Sequence, residues 1–171
     1  LHAAHAVCHD KMQQLSVAQA AGLSVPRTVM TNEAAVVQEF FRHCHGQVIM
    51  KLHNPLSRSM KGDGPFFPTT RLNEDELPYL DSLVYCPMIF QEYIPKQYEL
   101  RVVYVDGIFF TGKIDPEYNQ VTDWRTIHGG GSIWQPYKLP LQERNHLSTL
   151  MNRLGLSFGA IDIIRHTDGA Y

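Results

Sequence analysis

Two segments carry the most chemical information in this sequence: Met88-Ile89-Phe90-Gln91-Glu92-Tyr93-Ile94 and, five residues on, Glu99-Leu100-Arg101-Val102-Val103. An apolar run that ends in two polar residues, resumes apolar, turns at Pro95 and re-enters with a carboxylate and a guanidinium reads as a hinge around a polar ligand. A purine suits such a hinge. Its ring needs a flat apolar slot with backbone N–H and C=O edges, and an attached ribose needs a carboxylate that accepts two hydroxyl hydrogen bonds. The same residues also read as an ordinary hairpin. Further on, Asp162 is the single charge in the run Phe158 to Ile164, and a carboxylate within an apolar strand is costly unless paired or metal-bound.

Alternating helices and strands must hold these residues. Asp10 can cap a helix over Lys11 to Ala21, whose apolar positions Met12, Leu15, Ala18 and Ala21 recur at helical spacing and which stops at Gly22. Thr28 to Thr31 reads as a short strand. Asn32 predicts the cap of a second helix, Glu33 to His45, with Val36, Val37, Phe40 and Phe41 inward and Gly46 as its stop. Gln47 to His53 is strand-like, with Val48 and Met50 on one face and Ile49 and Lys51 on the other. The loop Asn54 to Thr70, which includes Lys61-Gly62-Asp63-Gly64, is long enough to be functional. Asn73 to Leu83 predicts a weaker helix interrupted by Pro78. Leu100 to Val105 and Ile108 to Lys113 flank Asp106-Gly107, a strong signal for a type I′ hairpin. Leu141 to Leu154 is an amphipathic helix ending at Gly155. Phe158 to Ile164 is then a strand, and Thr167-Asp168-Gly169 predicts a turn that sends the chain back antiparallel. Because so apolar a strand needs a paired edge, hairpin logic predicts that the parent protein continues past Tyr171.

A length of 171 residues with 44% hydrophobic composition suits one domain-sized globular body. A net charge of −2, from 15 basic and 17 acidic residues, gives no broad field for nucleic acid or an anionic membrane, so an anion site must be local. Cys8, Cys44 and Cys86 are odd in number and widely spaced, which indicates neither a disulfide framework nor a thiolate zinc site and points to a reducing cytoplasm. No apolar run approaches the ~20 residues that span a bilayer, and no signal sequence opens the chain. Leu1 is not an initiator Met, so the start reads as a fragment or a processed end. His2, His5 and His9 share a helical face, but no carboxylate or thiolate completes a metal set, so a solvated end is the preferred reading. Nothing fits G-x-x-x-x-G-K-[ST], which excludes a Walker-type phosphate loop.

The order of several short pieces carries a resemblance: Asp10-Lys11 opening a helix before Gly22-Leu23-Ser24-Val25-Pro26, then Val48-Ile49-Met50-Lys51, Phe90 to Ile94, Glu99-Leu100-Arg101, Trp124-Arg125 before Gly129-Gly130-Gly131, and Leu154-Gly155 to Asp162. In this register the chain resembles the ATP-grasp superfamily of carboxylate–amine ligases. It lies nearest the RimK-like branch, which includes the graspetide, or microviridin-type, peptide ligases. Pro95-Lys96-Gln97-Tyr98-Glu99-Leu100-Arg101 is especially similar to the graspetide-ligase version.

The resemblance implies an α+β fold in which two lobes sandwich ATP, here truncated, with residues 1–94 as the N-proximal lobe and 95–171 as an incomplete C-terminal lobe. It implies that a substrate carboxylate attacks the γ-phosphate and that an amine or hydroxyl then captures the acyl phosphate. Lys51 and Lys11 would meet the phosphates. The Gln91 side chain would reach the adenine amino edge, the backbone of Glu92, Tyr93 and Ile94 would form the hinge, and Glu99 would hold the ribose. Arg101 and Lys113 would project into one cleft toward the acyl phosphate or γ-phosphate, with Arg125 beside the glycines, and the Lys61 to Gly64 loop would act as a lid. Asp162 would bind Mg²⁺, with a Glu and an Asn expected beyond Tyr171. The implied substrate is a peptide or amino acid, with neither nucleic acid nor membrane as partner and the oligomeric state open. The fragment itself, without an N-terminal substrate lobe or the second metal strand, is expected to bind nucleotide weakly and not turn over. Two rival readings remain: a non-catalytic ATP-binding regulatory module on the same fold, and a kinase acting on a small polyol, whose phosphorylated substrate would need a basic pocket that this near-neutral chain does not advertise.

Overall fold

The computed structural model describes residues 10–53, 68–114, 122–124 and 133–171. The chain divides into two compact units that part between Ile94 and Pro95. Residues 10–25 group with the unit that begins at Pro95, and residues 122–124 with the one that ends at Ile94.

In the unit built on Pro26–Ile94, strands β1 (Thr28–Thr31), β2 (Val48–Leu52), β3 (Thr70–Arg71) and β4 (Met88–Glu92) form an antiparallel sheet in the order β1-β4-β2-β3. Helix α1 (Lys11–Ala20) belongs to the other unit, and helix α2 (Ala34–His43) packs on this one. Alternation along the strands sends Val29, Val48, Met50 and Phe90 to the α2 side, where they meet Val37, Cys44, Leu72, Leu80 and Leu83. Burying a side chain such as Phe90 stabilises the unit by about 2–3 kcal/mol. The start of α2 differs from expectation: Glu33 occupies the cap position and the Asn32 amide donates to the Val84 carbonyl at 3.5 Å. The Thr31 hydroxyl accepts the Glu33 N–H instead, at 3.0 Å. Glu74–Tyr85 is a 3-10 helix containing Pro78, opened by the Glu76 carboxylate accepting the Asn73 N–H at 2.7 Å.

In the other unit, strands β5 (Lys96–Val105), β6 (Ile108–Ile114), β7 (Trp134–Pro136) and β8 (Phe158–His166) form a second antiparallel sheet, ordered β7-β6-β5-β8. Asp106 and Gly107 take φ of 44° and 89°, the left-handed pair that a type I′ turn requires. Helix α1, capped by the Asp10 carboxylate accepting the Gln13 N–H at 2.9 Å, packs with helix α3 (Leu141–Leu154) on one face of this sheet. Their shared core holds Ala18, Ala21, Leu100, Val102, Leu147 and Leu150. Gly155 ends α3 in the left-handed conformation, at φ 66°. Among the described residues no helix is long and apolar enough to cross a membrane.

Candidate functional site

In the first sheet the register aligns Thr28, Gln91 and Ile49 across β1, β4 and β2, and the two-residue period adds Lys51 and Ile89 to the same face, away from α2. Gln91 is buried, and an amide there must satisfy both of its ends. Its Oε1 accepts from Lys51 Nζ at 2.9 Å and its Nε2 donates to Thr28 Oγ1 at 2.8 Å. The Thr28 hydroxyl in turn donates to the Pro26 carbonyl at 2.9 Å. The amide thereby orients the Lys51 ammonium, and its Oε1 and Nε2 each keep one further hydrogen-bonding position.

The hinge donors are unequal. The Glu92 N–H donates to the Arg27 carbonyl and the Tyr93 N–H to the Gln47 carbonyl, both at 2.9 Å, so these two N–H groups are spent within the sheet. Among the described residues the Ile94 N–H has no such backbone partner. The Glu92 carboxylate receives a bidentate pair from Arg27, Nε to Oε2 at 3.0 Å and Nη2 to Oε1 at 2.9 Å. Arg27 Nη1 also donates to the His43 carbonyl at the end of α2, at 3.1 Å. The hydrogen bond to Glu92 raises the Arg27 pKa, with Cys44 and the Glu92 charge adding to it, while burial raises that of the Cys44 thiol. The Arg71 guanidinium lies 3.8 Å from the Tyr93 ring centroid and donates to Gln47 Oε1 at 2.7 Å.

In the second sheet Arg101 stands opposite Gly112 on β6 and Asp162 on β8. Arg101 Nη1 and Asp162 Oδ1 are 2.7 Å apart, with the Asp162 side chain 57% exposed. Asp162 is thus a solvated, ion-paired carboxylate rather than the buried one that its apolar neighbours suggested. The strand's alternation puts its charge on the face opposite the α1–α3 core. Glu99 shares that face and pairs with Lys96, and both side chains are largely buried, 13% and 6% exposed.

Lys113 stands opposite Leu100, on the core face of the same sheet, so Arg101 and Lys113 leave opposite faces and do not converge as expected. The Lys113 ammonium lies 5.2 Å from the Tyr98 ring centroid. The Tyr98 hydroxyl is 2.9 Å from that of Tyr137 and 3.4 Å from that of Tyr171, and Tyr137 and Tyr171 also bond to each other. Burial raises the pKa of Tyr137 and, strongly, that of Tyr171. At Tyr98 burial acts in the same direction but is outweighed by the hydrogen bonds of Tyr137 and Tyr171 and the charges of Arg165 and Lys113, so its pKa falls.

Lys11 sits exposed in the first turn of α1 and donates to Gln14 Oε1 at 3.1 Å. Arg125, the Lys61 to Gly64 loop, the Gly129 to Gly131 run and His2, His5 and His9 lie outside the described residues. Among the described residues no three His, Cys, Asp or Glu side chains gather to hold a metal. Asp162 alone fits a Mg²⁺ that draws its remaining oxygen ligands from phosphates and water, and does not make a site by itself.

Sequence reasoning missed Thr28, Arg27 and Lys96 as the partners of Gln91, Glu92 and Glu99. The first two are pairings between distant segments that no local spacing reports. Lys96 left a misleading signal, because residues three apart in a regular strand face opposite ways. The register of β5 against β8 shifts between Lys96 and Tyr98, and this irregularity turns Lys96 toward Glu99.

No family model and no curated protein matches the sequence. Solved structures do. The macrocyclase MdnC from Microcystis aeruginosa MRC, bound with precursor peptide MdnA, is 32% identical with a TM-score of 0.80, over 95% of this chain and 49% of that one. A RiPP-associated ATP-grasp ligase from Chryseobacterium gregarium, in complex with ADP and a leader and core peptide, is 30% identical with a TM-score of 0.85, over 95% and 50%. The macrocyclase MdnB from Microcystis aeruginosa MRC is 38% identical with a TM-score of 0.70, over 95% and 49%. The chain spans about half the length of these relatives.

Proposed function

Because this chain belongs to the ATP-grasp superfamily, beside its peptide-modifying ligases, we propose that its protein is an ATP-dependent ligase that joins a carboxyl group of a peptide to an amine or hydroxyl. The observation that carries this reading is the grouping of Glu99, Arg101 and Asp162 on one face of the second sheet. The likeness to ligases of precursor peptides favours a peptide over a free amino acid.

On this reading the chain mainly positions groups and neutralises charge, the requirement in phosphoryl transfer. Lys51, fixed by Gln91, meets the phosphates of ATP, with Lys11 adding a second ammonium. The N–H of Ile94, without a backbone partner among the described residues, meets the adenine edge, while the Arg27–Glu92 pair holds that segment to β1. Glu99 accepts from the ribose hydroxyls. A substrate carboxylate oxygen attacks the γ-phosphorus as the bond to ADP breaks. The amine or hydroxyl then attacks the acyl carbon, releasing phosphate and one proton. Arg101 balances the charge that builds on the transferred phosphoryl group and releases Asp162 as it does so. On the same reading the Arg125 fork meets the tetrahedral phosphoryl intermediate and the Lys61 to Gly64 loop covers the phosphates. Mg²⁺, held in part by Asp162, would supply charge neutralisation at the phosphates. Cys44 and Cys86 as free thiols suit the cytoplasm proposed for it.

The test is incubation with ATP, Mg²⁺ and acidic peptides that also carry Lys, Ser or Thr, following ADP release and peptide mass together. The expected result is one water lost per ADP formed. ATP binding without ADP formation against any acceptor would instead identify a regulatory nucleotide module.

A further inference from the structure

The least solvated ion pair among the described residues joins Glu99 to Lys96, a residue to which the ligase reading gives no role. Lys96 and Glu99 are in contact at the start of β5, with 6% and 13% of their side chains exposed. By comparison, the Arg101–Asp162 pair on the same sheet is 35% and 57% exposed. A lysine this far from water is held by its carboxylate, and it fixes that carboxylate in one orientation in return. The backbone is shaped for it. The register shift between Lys96 and Tyr98 breaks the alternation that would otherwise point Lys96 away from Glu99.

We propose that Lys96 is a positioning residue for nucleotide selection: by holding Glu99 Oε1 it fixes the carboxylate and aims it at both ribose hydroxyls, so that the site discriminates ribonucleotides from 2′-deoxyribonucleotides. This rests on the reading of Glu99 as the ribose ligand. A carboxylate rotating freely loses little affinity toward a ligand that offers one hydroxyl and more toward one that needs two acceptors aligned at once. The role of Lys96 therefore appears in the ratio of ATP to 2′-deoxyATP affinities and not in affinity alone.

The experiment measures ATP and 2′-deoxyATP dissociation constants by calorimetry for the wild type, Lys96→Met, Lys96→Arg and Glu99→Gln, with thermal unfolding of each variant alongside. The expected wild-type preference for ATP is about tenfold, the size of one hydrogen bond to a charged group. Lys96→Met should bring the ratio to within about twofold of unity, as Glu99→Gln does, mainly by weakening ATP, and Lys96→Arg should restore most of it. Equal weakening of both nucleotides in Lys96→Met, with the ratio kept, would overturn the proposal and leave Lys96 a structural residue. If Lys96→Met does not fold, the Lys96→Gln and Lys96→Arg ratios decide it, and a full ratio in Lys96→Gln overturns it. A wild type that binds ATP without discriminating, or binds neither nucleotide, refutes the reading of Glu99 itself. A discriminating wild type with a Lys96-independent ratio refutes only this inference.

Discussion

Replacing Gln91 by Leu tests whether this amide serves the lysine or the purine. The substitution removes two hydrogen bonds, one from the Lys51 ammonium and one to the Thr28 hydroxyl. A bond to a charged donor contributes about 1.5–3 kcal/mol and a neutral one about 1 kcal/mol. Lys51 is only half-buried, so water recovers part of the first, and Thr28 keeps its bond to Pro26, which reduces the second. The buried leucine returns about 1 kcal/mol of apolar transfer. The net expectation is a loss of about 1–2 kcal/mol in urea unfolding. Binding carries the sharper signature. If Gln91 aims Lys51 at phosphate, Gln91→Leu weakens ADP about tenfold and leaves adenosine unchanged, because adenosine offers Lys51 nothing. Gln91→Glu, which keeps a partner for Lys51, should recover much of the ADP affinity. An equal loss for adenosine and ADP would refute this reasoning and return the amide to the adenine edge.

Four further outcomes follow from the geometry. Arg101→Met and Asp162→Asn should each change stability by less than about 1 kcal/mol, because the pair is well exposed, yet lower ligase turnover at least ~100-fold. Lys113→Met, on the opposite face, should leave turnover within about threefold, and a ~100-fold loss there would contradict the assigned faces. With iodoacetamide on the folded chain, peptide mass mapping should find exposed Cys86 alkylated well before Cys44, which is buried and has a raised thiol pKa. Tyr171 and Tyr137 hold their protons more tightly when folded than at the ordinary tyrosine value near 10, so their contribution is full below that value and lost as pH rises above it. Tyr98, with its lowered pKa, opposes this. Urea midpoints should therefore fall above about pH 10, and Tyr171→Phe should flatten the fall.

Much of the fold was legible because its signals are local. The Asp10 cap, the Asp106-Gly107 turn and the Gly155 stop each act within a few residues, and helices α1 and α3 and the β5–β6 hairpin formed where those signals place them. The short strands β3 and β7 were missed, since two or three residues carry no period and exist only by pairing with β2 and β6. The membership of α1 was missed for a related reason. Sequence order places it before β1, but the apolar surface that Ala18 and Ala21 need is offered by Leu147 and Leu150.

Residue type alone proposed the members of the candidate site and could not assign the faces they take. Arg101 and Lys113 show why. Each is a basic residue on a paired strand, and residue type alone gives no reason to separate them. Antiparallel register does: the two numbers that face each other across β5 and β6 sum to a constant, so Arg101 meets Gly112 and Lys113 meets Leu100. Since Leu100 is almost fully buried in the core, a lysine opposite it must turn to the same side, where it finds the Tyr98 ring. Arg101, one residue along, must turn to the other side, where Asp162 of β8 stands in the same row. A single odd-numbered offset therefore assigns one cation to a tyrosine cluster and the other to a carboxylate that can release it. The irregularity at Lys96 is the exception that lets residues three apart meet, and it occurs beside Glu99, where the ligase reading needs a carboxylate held still.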